Sequence, residues 1–162
     1  AIALVGAARD DRLAAAPWGR LQAAPEAAGE SATEEARAAA ATLAEEAGEV
    51  EGSATARRRA REGEESARRA GRRARTEVLD LGLALVAAWL RDLAATAGGG
   101  GELALNADRG AALAEQAAGL DPVAARLGAE EAMEARRRLR VNVSEELALE
   151  ALAFRLGDLL GD

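Results

Sequence analysis

The sequence predicts an all-α protein: a bundle of six to seven helices with a long central helix and an acidic/basic antiparallel helical hairpin. Three observations carry this. The 162 residues are dominated by Ala, Leu, Glu and Arg, 46 of them Ala, and these are strong helix formers. Val, Ile and Thr, which suit a pleated, half-buried surface, are scarce. The apolar residues recur at 4-3 spacing over long stretches, which draws one stripe down a helix.

Along the chain, residues 1–28 are Ala-rich and punctuated by Gly6, Pro17 and Pro25. They predict a short helix before Pro17 and a second from Pro17 to about Ala24, with Trp18 as an anchor, since Pro fits the first helical turn. Residues 30–51 predict an acidic helix, with Glu30, Glu34, Glu35, Glu45, Glu46, Glu49 and Glu51 set against a single Arg37. Gly52-Ser53 is a turn signal.

The next helix, about Ala54 to Ala97, begins basic. Arg57, Arg58, Arg59, Arg61, Arg68, Arg69, Arg72, Arg73 and Arg75 share one broad face, opposite a stripe of small residues from Ala56 to Ala74. From Val78 the Arg-bearing face turns apolar through Leu79, Leu83, Val86, Leu90 and Leu93, so this half is expected at the centre of a bundle. Gly98–Gly101 ends the helix. A helix from about Asn106 to Ala118 follows, and Asp121-Pro122 supplies an N-cap and a first turn for another to about Arg140. The last helix starts near Ser144, with Glu145 and Glu146 favouring its dipole, and ends at Leu160-Gly161.

Composition also narrows the function. There is no Cys, His, Tyr or Lys, so thiolate or imidazole metal sites and the familiar nucleophile–base pairs are excluded. The glycine run follows a helix and has no Lys, unlike a phosphate-cradling loop. No catalytic residue, cofactor or metal ligand is expected, and the chain is expected not to be an enzyme. With no secretory leader and no sufficiently long apolar span, the expected location is cytoplasmic, with no membrane contact.

The Arg-rich face has two readings. Arg58, Arg61, Arg68, Arg69 and Arg72 are a candidate basic face for nucleic acid. Alternatively, residues 30–51 and 54–75 form an antiparallel hairpin in which facing residues sum to about 107, pairing Glu49 with Arg58, Glu46 with Arg61 and Glu35 with Arg72. The net charge of −7 gives no support to non-specific nucleic-acid binding by the whole chain, and the paired hairpin is preferred.

Three segments in order, "RRARTEVLDLGLALVAAWLRDLA", "LNADRGAALAEQA" and "AMEARRRLRVNVSEELALEALAFRL", resemble the C-terminal collar domain of the bacterial DNA polymerase III clamp-loader delta-prime subunit, a relative of gamma/tau. The resemblance lies in an apolar run closed by Arg91-Asp92, an Asn-Asp-like connection, an Arg-rich helix end, and a finish in which Asn142, Val143, Leu147, Ala148, Leu149, Glu150, Ala151, Leu152, Arg155 and Leu156 match. It covers about residues 70–160. The charged hairpin, over 30–75, is similar to an insertion in actinobacterial versions.

The resemblance implies a single non-catalytic collar domain over residues 1–162, holding a clamp loader together by hetero-oligomerisation. Its partners would be other clamp-loader subunits, with DNA met only indirectly and no small-molecule substrate. The family's upstream ATPase-like module, with its zinc site and arginine finger, has no counterpart in these residues. The implied partner interface is on the last helix: Leu147, Leu149, Leu152, Phe154 and Leu156. The competing readings are a nucleic-acid-binding module using the Arg face over 57–75, and an unrelated self-associating helical adaptor.

Overall fold

The computed structural model describes residues 2–9, 19–46, 53–141 and 144–161. These form six α-helices: α1 (Ile2–Arg9), α2 (Gly19–Glu46), α3 (Ser53–Ala97), α4 (Gly110–Ala117), α5 (Pro122–Leu139) and α6 (Glu145–Leu160), with short 3-10 turns at Gly101–Leu103 and Ala107–Arg109. No strand occurs among the described residues. The chain divides into two compact units, one of residues 1–21 and 80–162 and one of residues 22–79. The hairpin expected over 30–75 occupies the second unit.

Unit one is built on leucine. Leu83, Val86, Leu90 and Leu93 of α3 are fully buried, as are Leu149 and Leu156 of α6, Leu113 of α4 and Val5 of α1. Each such side chain contributes roughly 1.5–3 kcal/mol on leaving water. Gly128 of α5 sits where a Cβ would come 3.0 Å from Leu156 and 3.5 Å from Leu90. That glycine lets three helices meet. Trp89 is buried and donates its indole N–H to Gln116 Oε1 at 2.9 Å. Gln116 in turn reaches the Ile2 carbonyl from α4.

The C-terminal half of α3 was expected to be covered almost all round. Leu81 and Leu85 are instead 58% and 54% exposed, because in this unit the neighbouring helices cover only the Leu83/Val86/Leu90/Leu93 side.

The helix ends follow their sequence signals. α3 closes in a Schellman motif: Gly99 adopts φ +86°, Gly100 N–H bonds the Ala95 carbonyl and Gly99 N–H that of Thr96, which satisfies two terminal carbonyls and requires glycine at the left-handed position. Asp121 caps α5 by accepting the Val123 N–H at 2.9 Å. Ser144 caps α6 through the Leu147 N–H.

Unit two is built on small residues. The expected break between a helix ending near Ala24 and an acidic one starting at Glu30 is absent, for α2 runs unbroken through Pro25 and Gly29. Pro25 lies in the second turn, so its ring sacrifices only the bond to the Leu21 carbonyl. The Ala- and Glu-rich sequence beyond carries the helix on. The predicted helix from Pro17 begins among residues outside the described ones, and Trp18 lies there too.

Gly29 and Gly71 mark the crossing of α2 with α3. A Cβ on Gly71 would fall 2.7 Å from the Gly29 carbonyl and 2.0 Å from Thr33 Oγ1; one on Gly29 would lie 3.1 Å from the Gly71 carbonyl. Thr33 donates its hydroxyl back to the Gly29 carbonyl at 2.7 Å. Ala67, fully buried, lies one turn before Gly71 on the same face. The helices therefore touch backbone to backbone.

Candidate functional site

On α6 the apolar residues separate into two faces. Leu149, Leu152 and Leu156 are 1%, 2% and 0% exposed. They pack into the core of their own unit, so three of the five residues of the expected interface offer no free surface. Leu147 and Phe154 are 62% and 66% exposed. They stand seven residues apart, two helical turns, with half-buried Ala151 between them on the same face. Phe154 is the only Phe in the chain, and it points away from the core.

One ion pair ties α6 to its neighbour α5. Arg155 binds Glu131 of α5. Further along α5, Arg136 grips Asp80 of α3 in a two-pronged bond, its Nε donating at 3.0 Å. Arg140 stands 3.5 Å from the same carboxylate. The Arg136 hydrogen bonds hold the Asp80 carboxyl below the usual range, against the opposing pull of partial burial.

Asp92 was noted in the sequence only as part of an Arg-Asp pair, and it is the one buried charged residue among those described. Its carboxylate accepts the Leu105 N–H at 3.0 Å, the Asn106 N–H at 2.8 Å and Asn106 Nδ2 at 2.7 Å. Arg91 lies 3.3 Å away. Burial alone would raise its pKa. The donors and Arg91 outweigh that, and the net shift is downward. Asp92 thus clasps the connection after α3 to α3 itself. An Asp inside an apolar run, followed by Asn about four turns later, was the available signal.

The basic face is exposed, and the one expected cross-hairpin pair that lies wholly among the described residues, Glu35 with Arg72, does not form. Arg58, Arg68 and Arg69 pair along their own helix with Glu62, Glu64 and Glu65. Glu35 accepts a hydrogen bond from Ser31. Arg61 and Arg72 make no ion pair among the described residues. Glu49 and the Glu46 side chain lie outside the described residues, and with them two of the three expected pairs.

Among the described residues, pairs that cross the hairpin include Arg37–Glu64, with Nε donating at 2.9 Å, and Glu26–Arg75 at 3.9 Å. Facing residues therefore sum to about 101, not 107. The Gly29–Gly71 contact sets this register and overrides the charges, as expected when exposed pairs add only about 0–1 kcal/mol each. Two Arg partners drop the Glu64 carboxyl to about 2, with the Arg37 hydrogen bond the largest cause.

No protein-family model, no curated protein and no solved structure matches the chain. Among the described residues, no helix is long and apolar enough to cross a membrane.

Proposed function

We propose that the chain is a non-catalytic assembly domain of the clamp-loader collar kind, working in DNA replication by packing against neighbouring loader subunits. The observation that carries this is the outward face of α6. A terminal helix whose inner side is anchored by three buried leucines presents an unpaired Phe and Leu to solvent. Large aromatic residues at the centre of a docking face, rimmed by charge, are how subunit interfaces concentrate their binding energy. Here the rim is supplied by Glu150 and Asp158, both exposed on the same side.

The proposal also draws on the sequence resemblance. The Arg91-Asp92 pair and the Asn106 connection belong to the pattern that resembles the collar, and they turn out to be in contact. The outcome expected is loss of co-purification with the other loader subunits on Phe154→Asp or Leu147→Asp, with the circular dichroism of the chain unchanged. Assembly that survives both substitutions would overturn the reading.

A further inference from the structure

We infer that the charged hairpin of unit two is a self-association module, which pairs with the same hairpin of a second copy of this chain. Three observations point to this occupant.

The first is charge segregation. Within unit two, α2 carries Glu26, Glu30, Glu34, Glu35, Glu45 and Glu46 against one Arg37, a net charge of −5. The stretch of α3 from Ser53 to Leu79 carries nine Arg against Glu62, Glu64, Glu65 and Glu77, a net +5. The two helices are equal and opposite.

The second is that, among the described residues, much of this complementarity is left over inside the hairpin. Its α2/α3 contact is made by Gly29, Gly71 and Ala67, so most charges are directed outward. One of the crossing pairs even runs against the trend, joining Arg37, the single Arg of the unit-two part of α2, to a Glu of α3. Arg57, Arg61, Arg72 and Arg73 make no ion pair among the described residues, nor do Glu30 and Glu45.

The third is an apolar groove. Beyond the Ala40–Gly63 contact, a cleft of about 840 Å³ opens between the helices, lined by Ala40, Ala41, Ala44, Ala56 and Ala60. Leu43 stands at this groove, 66% exposed. Leu43 is itself a lining residue, and the small-residue walls are joined by the charged side chains of Arg37, Arg59 and Glu64.

A two-fold axis satisfies all three at once. In an isologous pairing every contact is made twice, so α2 of each copy meets α3 of the other, minus against plus, and Leu43 of each copy fills the groove of its partner. An unrelated acidic or basic partner would match only one of the two helices. A second copy matches both.

The test uses the full chain at low ionic strength, read by sedimentation equilibrium. A dimer is expected that weakens as salt is added, because its exposed pairs are screened. Leu43→Glu should raise the dimer dissociation constant by about tenfold or more. Two charge-swapped variants give the sharper result: Arg57→Glu/Arg61→Glu/Arg72→Glu, and Glu30→Arg/Glu34→Arg/Glu45→Arg. Each should be monomeric alone, because like then faces like, and the two mixed should form a heterodimer, which also shows that both have folded. A chain that stays monomeric at low salt overturns the inference, as does a monomeric chain that binds a short DNA duplex. So does a dimer indifferent to Leu43 and to the swaps but lost with Phe154→Asp, which would place self-association on α6 instead.

Discussion

Unit one and unit two solve the problem of holding helices together in opposite ways. Unit one interlocks leucines: Leu83, Leu90, Leu149 and Leu156 fill the space between helices, and a single glycine, Gly128, relieves the tightest crossing. Unit two removes side chains from its crossing, so that the Gly29 and Gly71 backbones approach each other. The first arrangement buries much apolar surface and gains stability from it. The second buries little, and its fit depends on two positions staying empty. An interlocked core specifies by volume, and a close crossing specifies by absence.

The largest effect that would break this contrast lies in unit one, at Asp92, the single buried charge among the described residues. Asp92→Ala removes a buried carboxylate that accepts three charge-assisted hydrogen bonds from Leu105 and Asn106, and should cost about 3 kcal/mol. Chemical denaturation gives the size. Hydrogen exchange should show the loss in the C-terminal part of α3 and in α4, with residues 22–79 little changed. Uniform loss across both units would mean that they are a single cooperative block.

Next comes Gly71→Ala. Thr33 can rotate away from the new methyl group, but the Gly29 carbonyl cannot, so the helices must part. Overpacking of this kind costs about 1–3 kcal/mol, and faster exchange should be confined to α2 and the N-terminal half of α3. If Gly71→Ala is neutral, the backbone contact does not set the register, and charge pairing regains that role.

The smallest effect is the response to acid. Asp80, Asp92, Glu64 and Glu134 all have carboxyls held below their ordinary values. A group whose folded pKa is depressed adds stability above its unfolded pKa, and that stability is lost as pH falls through the folded value. Stability should therefore be flat from neutrality down to the ordinary carboxylate range and decline below it, with Glu64 protonating near 2. Glu64 is screened by solvent, so the decline should be steeper in unit one, and Asp92→Asn should flatten it.

The elements were largely legible in the sequence because helix ends carry strong local signals: Asp121-Pro122, Ser144 and the glycine run after Ala97 each stand where a helix starts or stops. Pro25 and Gly29 carry the same signals but mean something else. Whether a glycine breaks a helix or admits a neighbour depends on what lies across from it, and Gly71 is 42 residues away. The hairpin register failed for a related reason, since charges are conspicuous in sequence and weak in energy. At α6 the apolar stripe was visible, but its division into buried Leu149, Leu152 and Leu156 and exposed Leu147 and Phe154 was not. Both sets are apolar, and only the helices packed against α6, α5 and α1 among them, decide which faces inward.

The Asp92 clasp also has a consequence in time. Its bonds join residues only 13 and 14 apart, a loop whose closure takes on the order of 10–100 ns and little entropy. The bond from Gln116 to Ile2 spans 114 residues and its closure costs about 2 kcal/mol more. Unit one is thereby given an order of assembly. The end of α3 and its following turn can find each other while the rest of the chain is still open, whereas docking α1 closes a longer loop. A buried carboxylate that looks like a static tether is also the place where folding of this unit has the least distance to travel.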